Sequence, residues 1–150
     1  AAIQQLQKRY GHVSAERVIS GAGLVDLYHA LCDLKDGQGR EITTPAEVIE
    51  RAQEVPTSTA NEALDMFCGF LGSVAGDLAL TLGARGGIYI GGGIVPRLGE
   101  RFDASPFRER FEAKGRFKKY LQDVPTWVIH SPVSPALQGA SQALSLTQWQ

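Results

Sequence analysis

The sequence has few cysteines, almost no net charge and no N-terminal signal pattern. Its two cysteines, Cys32 and Cys68, lack the C-x-x-C spacing of a metal or redox site, and no secretory segment precedes them. We expect both to be reduced core residues of a cytosolic protein. The 15 Lys and Arg residues nearly cancel the 16 Asp and Glu residues, so no overall field attracts nucleic acid or anionic lipid. No apolar run approaches a membrane-spanning length, and we therefore expect neither a nucleic-acid partner nor a membrane.

The amino-acid composition is that of a soluble globular domain. Hydrophobic residues make up 43% of the 150 residues and charged residues 21%, which is the balance of one domain with a real core. Periodicity and capping residues predict helices at 3–10, 15–19, 24–34, 45–53, 59–82, 97–102 and 107–114, and a last one after 135. Strands are expected at 88–90 and 124–129. The order of these elements predicts an α/β arrangement in which parallel strands are covered by helices.

The longest predicted helix has the strongest pattern, an apolar stripe that continues for about five turns to Leu78 and Leu82. Gly69, Gly72 and Gly76 lie within it, each at a cost of roughly 1 kcal/mol relative to alanine. Glycines do not help a helix to form, so we expect them to permit close approach of a neighbouring helix or sheet. We also expect this helix to pack on the predicted sheet.

Three consecutive glycines, Gly91–Gly93, follow the predicted strand at 88–90 and precede Pro96, which suits the first turn of a helix. Consecutive glycines lose much backbone entropy on folding, so something is expected to come close to this backbone. In open α/β sheets ligands bind at the carboxyl ends of strands, where a glycine-rich turn exposes amides to a nucleotide. The stretch is not the G-x-G-x-x-G fingerprint, because Ile94 and Pro96 stand where it needs glycine, and no G-K-[ST] element exists. From the residues alone, a ligand and a packed helix are equally good explanations.

Some charged and aromatic residues near these elements have two interpretations. Arg97 and Arg101 would lie one turn apart on the predicted helix and border a nucleotide. The basic run Lys114–Lys119 is more typical of a solvated face than of a phosphate ligand. Tyr89 and Trp127, on the two predicted strands, are expected in the core rather than as platforms for a substrate.

Two stretches carry a family resemblance: GHVSAERVISGAGLVDLY at 11–28, and IYIGGGIVPRLGERFDASPFRERFEAKGRFKKYLQDVPTWVI at 88–129. Together they resemble the bacterial-type glucokinases. The resemblance implies a hexokinase-type fold (ribonuclease H-like, actin-like ATPase), of which residues 1–150 would be the C-terminal, large-domain part. It implies a cytoplasmic, homodimeric enzyme that phosphorylates glucose to glucose 6-phosphate with ATP and Mg²⁺.

The resemblance also implies roles for five residues. Gly91, Gly92, Gly93 and Ile94 would lie against the adenosine of ATP, where a side chain on the glycines would occupy the space of the nucleotide. Glu16 would bind glucose, because an ionised carboxylate accepts hydrogen bonds from sugar hydroxyls that are worth about 1.5–3 kcal/mol each. From the residues alone, the better interpretation of Glu16 is a first-turn acid that interacts with the helix dipole. The resemblance favours sugar binding.

Other parts of the family pattern are missing. The family has phosphate loops, an E-G-G-H segment and an asparagine-aspartate pair that supplies the catalytic base, whereas the only asparagine here, Asn61, is followed by Glu62. We therefore expect no catalytic residue and no metal ligand in this chain, and no turnover by the chain alone. Because the first helix lacks a capping residue, we expect the N-terminal domain to be absent. The alternatives are a non-catalytic nucleotide- or sugar-binding relative, and an assembly module whose long small-residue helix packs against a partner.

Overall fold

The computed structural model describes residues 1–35, 37 and 39–146 of the chain. In these residues the chain forms nine α-helices, two 3₁₀ turns and two short strands. The helices are α1 (Ala2–Tyr10), α2 (Ala15–Ile19), α3 (Gly21–Lys35), α4 (Pro45–Glu54), α5 (Thr59–Leu82), α6 (Glu100–Asp103), α7 (Phe107–Glu112), α8 (Lys118–Gln122) and α9 (Pro135–Leu146). The strands are β1 (Ile88–Ile90) and β2 (Thr126–Val128), and the 3₁₀ turns span Val95–Arg97 and Gly115–Phe117.

Side-chain caps begin two of these helices at the residues that the sequence indicates. At the start of α2, the hydroxyl of Ser14 accepts a hydrogen bond from the amide of Arg17 at 3.3 Å. At α4, the hydroxyl of Thr44 accepts from the amide of Glu47 at 3.3 Å, and the Glu47 carboxylate accepts from the amide of Thr44 at 2.8 Å. The amides of Thr43 and Thr44 that bind this carboxylate lower the pKa of Glu47. Both helix starts are therefore local properties of the sequence.

Helix α3 begins at Gly21, whereas the sequence predicted a start at Leu24. The prediction is wrong because the early glycines make a tertiary contact: a Cβ on Gly23 would overlap the backbone carbonyl of Arg17 in α2. The hydroxyl of Ser20 accepts a hydrogen bond from the amide of Gly23 at 3.1 Å and caps α3. Helices α2 and α3 therefore follow each other with one residue between them, in close backbone contact.

Helix α5 packs mainly against α7, α3 and α4. A Cβ on Gly72 would overlap the carbonyl oxygen of Phe107, and one on Gly76 would overlap that of Phe111, both in α7. The prediction that the glycines permit close approach of a neighbour is confirmed for Gly72 and Gly76 but not for Gly69, whose Cβ would make only an ordinary contact. The neighbour is α7 rather than the sheet on which we expected α5 to pack. Because α7 of the same chain fills this small-residue face, the face is not open to a partner, and the assembly-module alternative loses its basis.

Helix α5 is also long and apolar enough, by length and composition, to cross a membrane, so the expectation that no apolar run approaches that length is too strict. In this chain, however, 50% of its most apolar window is buried inside the protein. The predicted apolar stripe is wrong at Leu78 and Leu82, which are exposed, although Ala79 between them is buried. The buried part makes α5 a core helix.

The two strands pair in parallel, which confirms the prediction. Strand β2 is shorter than the predicted strand at 124–129, but the amide of Ile129 donates a hydrogen bond to the carbonyl of Ile90 at 2.9 Å beyond the end of β2. Parallel strands end at the same edge of a sheet, so the segments that follow Ile90 and Ile129 leave the sheet side by side.

Tyr89 and Trp127 are opposite each other in the sheet and stack, with ring centroids 4.8 Å apart. They are 66% and 42% exposed, so the expectation that they lie in the core is wrong. Side chains alternate between the two faces of a strand, and in β1 it is Ile90 that reaches the core. Gly87 lies beneath the indole, because a Cβ there would overlap the Trp127 ring.

The predicted helix at 97–102 is wrong, because Gly99 interrupts it with a left-handed backbone of φ 52°. A 3₁₀ turn precedes Gly99 and α6 follows it, so Arg97 and Arg101 do not share a helical face. Arg101 instead forms an ion pair with Asp65 Oδ1 at 2.8 Å and ties α6 to α5. Arg101 therefore has a role in packing, and this role takes the place of the one that we expected for it beside a nucleotide.

The core contains side chains from most of the helices, and both cysteines lie in it, as expected. Burial raises the pKa of the Cys68 thiol to about 11. The largest fully buried side chains are those of Phe111, Leu6, Leu24, Leu27, Leu64 and Leu121.

Candidate functional site

The glycine turn Gly91–Gly93 begins where β1 ends, and its backbone is open. A Cβ on Gly92 or Gly93 would have no neighbouring atom within 4 Å among the residues that the structure describes, and one on Gly91 would be 3.7 Å from the side chain of Ile129. Gly92 has φ 121°, a conformation that favours glycine. Glycines that make room for a helix lie against the backbone of that helix, as Gly72 and Gly76 of α5 lie against α7. Gly92 and Gly93, in contrast, face empty space. Within the described residues a packed helix therefore does not explain them.

A first cleft, of about 360 Å³, lies on one side of the glycine turn. It is bounded by Ile19 at the end of α2, by Phe67 and Leu71 of α5, and by Ile94. Its volume is in the range of small-molecule sites, and its walls are largely apolar. The first cleft thus joins the glycine turn to the region of α2.

A second cleft, of about 460 Å³, shares the three glycines and lies on their other side. Its opposite wall is the segment that follows β2 and opens α9, with the residues Ile129, Ser131, Val133, Ser134, Pro135 and Ala136. Two adjacent strand ends build this cleft, which is the usual ligand position in an open α/β sheet. The sequence interpretation missed this wall. The signal that could have found it is the small and hydroxyl-bearing stretch SPVSPA directly after the second predicted strand.

Local hydrogen bonds hold the second wall in place. The hydroxyl of Ser131 donates to the carbonyl of Val133 at 2.6 Å and accepts from its amide at 3.3 Å. The carbonyl of Ser134 accepts from the amide of Gln138 at 3.1 Å, which is the first hydrogen bond of α9. These bonds lie within the segment, so its turn is a local property of the sequence.

Among the residues that the structure describes, the linings of the two clefts contain no titratable side chain. They offer apolar surface, backbone groups and two serine hydroxyls, which bind a ligand by shape and hydrogen bonding. They do not offer a general acid or base. Among residues 1–35, 37 and 39–146, no group of three or more His, Cys, Asp and Glu side chains is placed to hold a metal ion.

Glu16 lies in the first turn of α2 and is exposed. It is not part of either cleft lining, but Ile19, one helical turn further along α2, contacts the first cleft together with the glycine turn. The structure thus brings α2 and the glycine turn to one cleft and leaves the Glu16 carboxylate free to solvent near it.

The basic run Lys114–Lys119 does not behave as one solvated face. Lys114 forms an ion pair with Asp77 at 2.7 Å and donates to the carbonyl of Ser73 at 2.8 Å, so it joins the end of α7 to α5. Its side chain is only 16% exposed, which corrects the expectation for this residue. Lys118 and Lys119 are exposed, as expected.

A sequence model described as Glucokinase matches residues 1–147. The chain belongs to the glucokinase family. It is 55% identical over 137 residues to a glucokinase of Chromobacterium violaceum, and 53% identical over 137 residues to one of Nitrobacter hamburgensis. In each case the alignment covers 91% of this chain, but the chain spans only 39% and 42% of the two glucokinases.

A solved structure shows the same fold. The crystal structure of a glucokinase from an Antarctic psychrotroph matches with a TM-score of 0.82 at 37% identity, over 96% of this chain and 44% of that one. The expected hexokinase-type fold is therefore confirmed for the glucokinase part that this chain represents.

Proposed function

We propose that this chain provides the adenosine side, and part of the sugar side, of the active site of a glucokinase that transfers the γ-phosphoryl group of ATP to glucose. The observation that carries the proposal is the open glycine turn at the end of β1, which intrachain packing does not explain. Membership of the glucokinase family supplies the reaction. The alternative of a non-catalytic binding relative has the same clefts but no turnover, and an assay of the complete protein separates the two.

In this proposal Gly91, Gly92, Gly93 and Ile94 lie against the adenosine. The open face of the glycines lets a flat ring system approach the backbone, and the apolar walls of the two clefts supply contact surface. Adenosine needs no ionised partner, which agrees with linings that lack titratable groups.

Glu16 is the proposed sugar ligand. Its exposed carboxylate stands on a helix whose far end reaches the first cleft, so a sugar bound at Glu16 would lie near the nucleotide. Carboxylates accept charge-assisted hydrogen bonds from hydroxyls, and these are stronger than bonds between neutral groups.

The chemical step needs groups outside the two clefts. Phosphoryl transfer requires a base for the sugar hydroxyl and positive charge at the γ-phosphate. The described residues offer no ligand set for Mg²⁺, and we propose that Mg²⁺ binds mainly to ATP phosphates and water. Since the chain spans about two fifths of its relatives, we propose that it is the C-terminal, large-domain part of a longer protein. That protein would supply the base from an N-terminal domain, and would be cytoplasmic and homodimeric.

The test is a substitution that fills the space above the turn without straining it. Gly93 is the better choice than Gly92, because only Gly92 has a positive φ. In the full-length glucokinase, Gly93→Val should weaken ATP binding at least about tenfold, since a branched side chain enters the adenosine space. Gly86→Val is the matched control, because Gly86 is also exposed, has open space around it and lacks a positive φ. Isothermal titration that finds equal ATP affinity in the two folded variants would contradict the proposal.

A further inference from the structure

Helix α2 carries the proposed sugar ligand, yet it has only five residues. Isolated helices of this length are not stable in water, so tertiary contacts must determine where α2 lies. Val18 is the buried residue of α2, and the carbonyl of Arg17 lies against Gly23 of α3. Helix α2 also packs against α5, so its inner side is held by two helices, while Glu16 and Arg17 lie on its exposed side.

A cluster of polar side chains links α1, α2 and α3 beside this helix. The hydroxyl of Tyr10 donates to both carboxylate oxygens of Asp26, at 2.8 and 3.0 Å. Arg9 donates to Asp26 Oδ1 at 3.0 Å. The guanidinium of Arg17, the residue next to Glu16, lies 4.3 Å from the centre of the Tyr10 ring. One tyrosine therefore contacts α2 through its ring and α3 through its hydroxyl.

Asp26 is the buried member of the cluster, whereas Arg9 and Arg17 are exposed. Asp26 is 8% exposed and is the one buried charged residue among the described residues, and a buried carboxylate needs its donors. Burial and the hydrogen bond to Asp26 raise the pKa of Tyr10, so the hydroxyl keeps its proton and remains a donor at neutral pH. Asp26 thus holds the Tyr10 hydroxyl, and the Tyr10 ring offers its face to the exposed guanidinium of Arg17.

We infer that Tyr10 and Asp26 are positioning residues for Glu16: they hold α2, through Arg17, in the orientation that presents the Glu16 carboxylate to the sugar. The inference rests on the proposed function, because it has meaning only if Glu16 binds glucose. Asp26 is buried and Tyr10 uses its hydroxyl to bind Asp26 and its ring to contact Arg17, so in this inference both residues act on binding through α2.

The test is a double-mutant cycle in the full-length glucokinase. Tyr10→Phe removes the hydroxyl and keeps the ring, and Asp26→Asn is a second variant of equal size. Each should raise the KM for glucose about 3- to 10-fold and leave the KM for ATP within about twofold, because a displaced binding group weakens only its own substrate. In a Glu16→Gln background, Tyr10→Phe should have little further effect on the glucose KM, since the group that it positions is already impaired.

Asp65→Asn is the matched control, because it also removes the charge of an Arg–Asp pair between two helices. It should lower thermal stability by less than Asp26→Asn, because the Asp65 carboxylate is more exposed, and leave the glucose KM unchanged. The inference is overturned if Tyr10→Phe and Asp26→Asn behave like Asp65→Asn while Glu16→Gln alone raises the glucose KM. It is equally overturned if the rise in the glucose KM of the double variant Tyr10→Phe, Glu16→Gln equals the product of the rises measured for the two single variants. If Glu16→Gln leaves the glucose KM unchanged, the proposed role of Glu16 is what fails.

Discussion

The amide of Ile129 donates a hydrogen bond to the carbonyl of Ile90 at 2.9 Å, and this bond holds the ends of β1 and β2 side by side. The glycine turn continues from one strand and the SPVSPA segment from the other, so two stretches that are far apart in the sequence face each other across the second cleft. The position of the candidate nucleotide site therefore follows from the parallel pairing of only three residues in each strand.

The first prediction concerns the glycines of α5. Gly72→Ala should lower the free energy of unfolding by about 1–3 kcal/mol, because its Cβ would overlap the carbonyl oxygen of Phe107. Gly69→Ala is the control: its Cβ would lie 3.6 Å from the Arg110 side chain, an ordinary contact. It should be neutral or stabilise by up to about 1 kcal/mol, the helix-propensity difference. Urea denaturation measures both, and equal effects of the two substitutions would contradict the packing of α7 on α5.

The second prediction concerns the pair of Lys114 and Asp77. The Asp77 side chain is 67% exposed, so Asp77→Asn should change the free energy of unfolding by less than about 1 kcal/mol. Lys114→Ala should cost more, about 1–2 kcal/mol, because its half-buried stem packs between α5 and α7 and its ammonium also binds the Ser73 carbonyl. Thermal denaturation of both variants compares them, and a larger loss in Asp77→Asn would contradict this assignment.

The third prediction concerns pH. Burial raises the pKa of Cys68 from 9.0 to about 11. The thiol is neutral in the folded chain, whereas in the unfolded chain it ionises near pH 9. Its contribution to stability is therefore fully present below about pH 9 and is lost as the pH rises towards 11. The urea midpoint should fall more steeply from pH 9 to 11 in the native sequence than in Cys68→Ala, and identical slopes would count against burial of the thiol.

The local elements of this fold could be predicted because their signals are local. The capping box of Thr44 and Glu47, the stop at Gly83 and the strand before the glycines fix helix and strand bounds within a few residues. Gly23 could not be placed in this way, because its presence inside α3 depends on the carbonyl of Arg17 in another helix. Tertiary contact overrides propensity at such positions.

Only part of the candidate site could be predicted from the sequence. The glycine turn was visible in the sequence, and Glu16 came only from the family resemblance. The second wall of the cleft was missed because the predicted parallel pairing does not by itself place the segment after the second strand, whose position depends on the hydrogen bond from Ile129 to Ile90 beyond β2. Tyr89 and Trp127 were misplaced because a residue pattern gives the alternation of a strand but not which of its faces is covered.

The fourth prediction concerns the 150-residue chain by itself. It should show no ATP-dependent phosphorylation of glucose, because the cleft linings contain no general base and general-base catalysis typically contributes about 10²–10⁴-fold. A coupled spectrophotometric assay with host kinases excluded measures this. Steady turnover would mean that the chain contains a catalytic base that the structure does not reveal.

Photoaffinity labelling of the full-length glucokinase with an azido-adenosine triphosphate tests directly whether the glycine turn binds adenosine. The labelled peptides are then mapped by mass spectrometry. We expect the label to attach within Gly91–Ile94 or within the 129–136 segment of the second cleft. We also expect an excess of ATP to prevent this labelling. Labelling that ATP suppresses but that lies entirely outside these two segments would contradict the assignment of the glycine turn to adenosine.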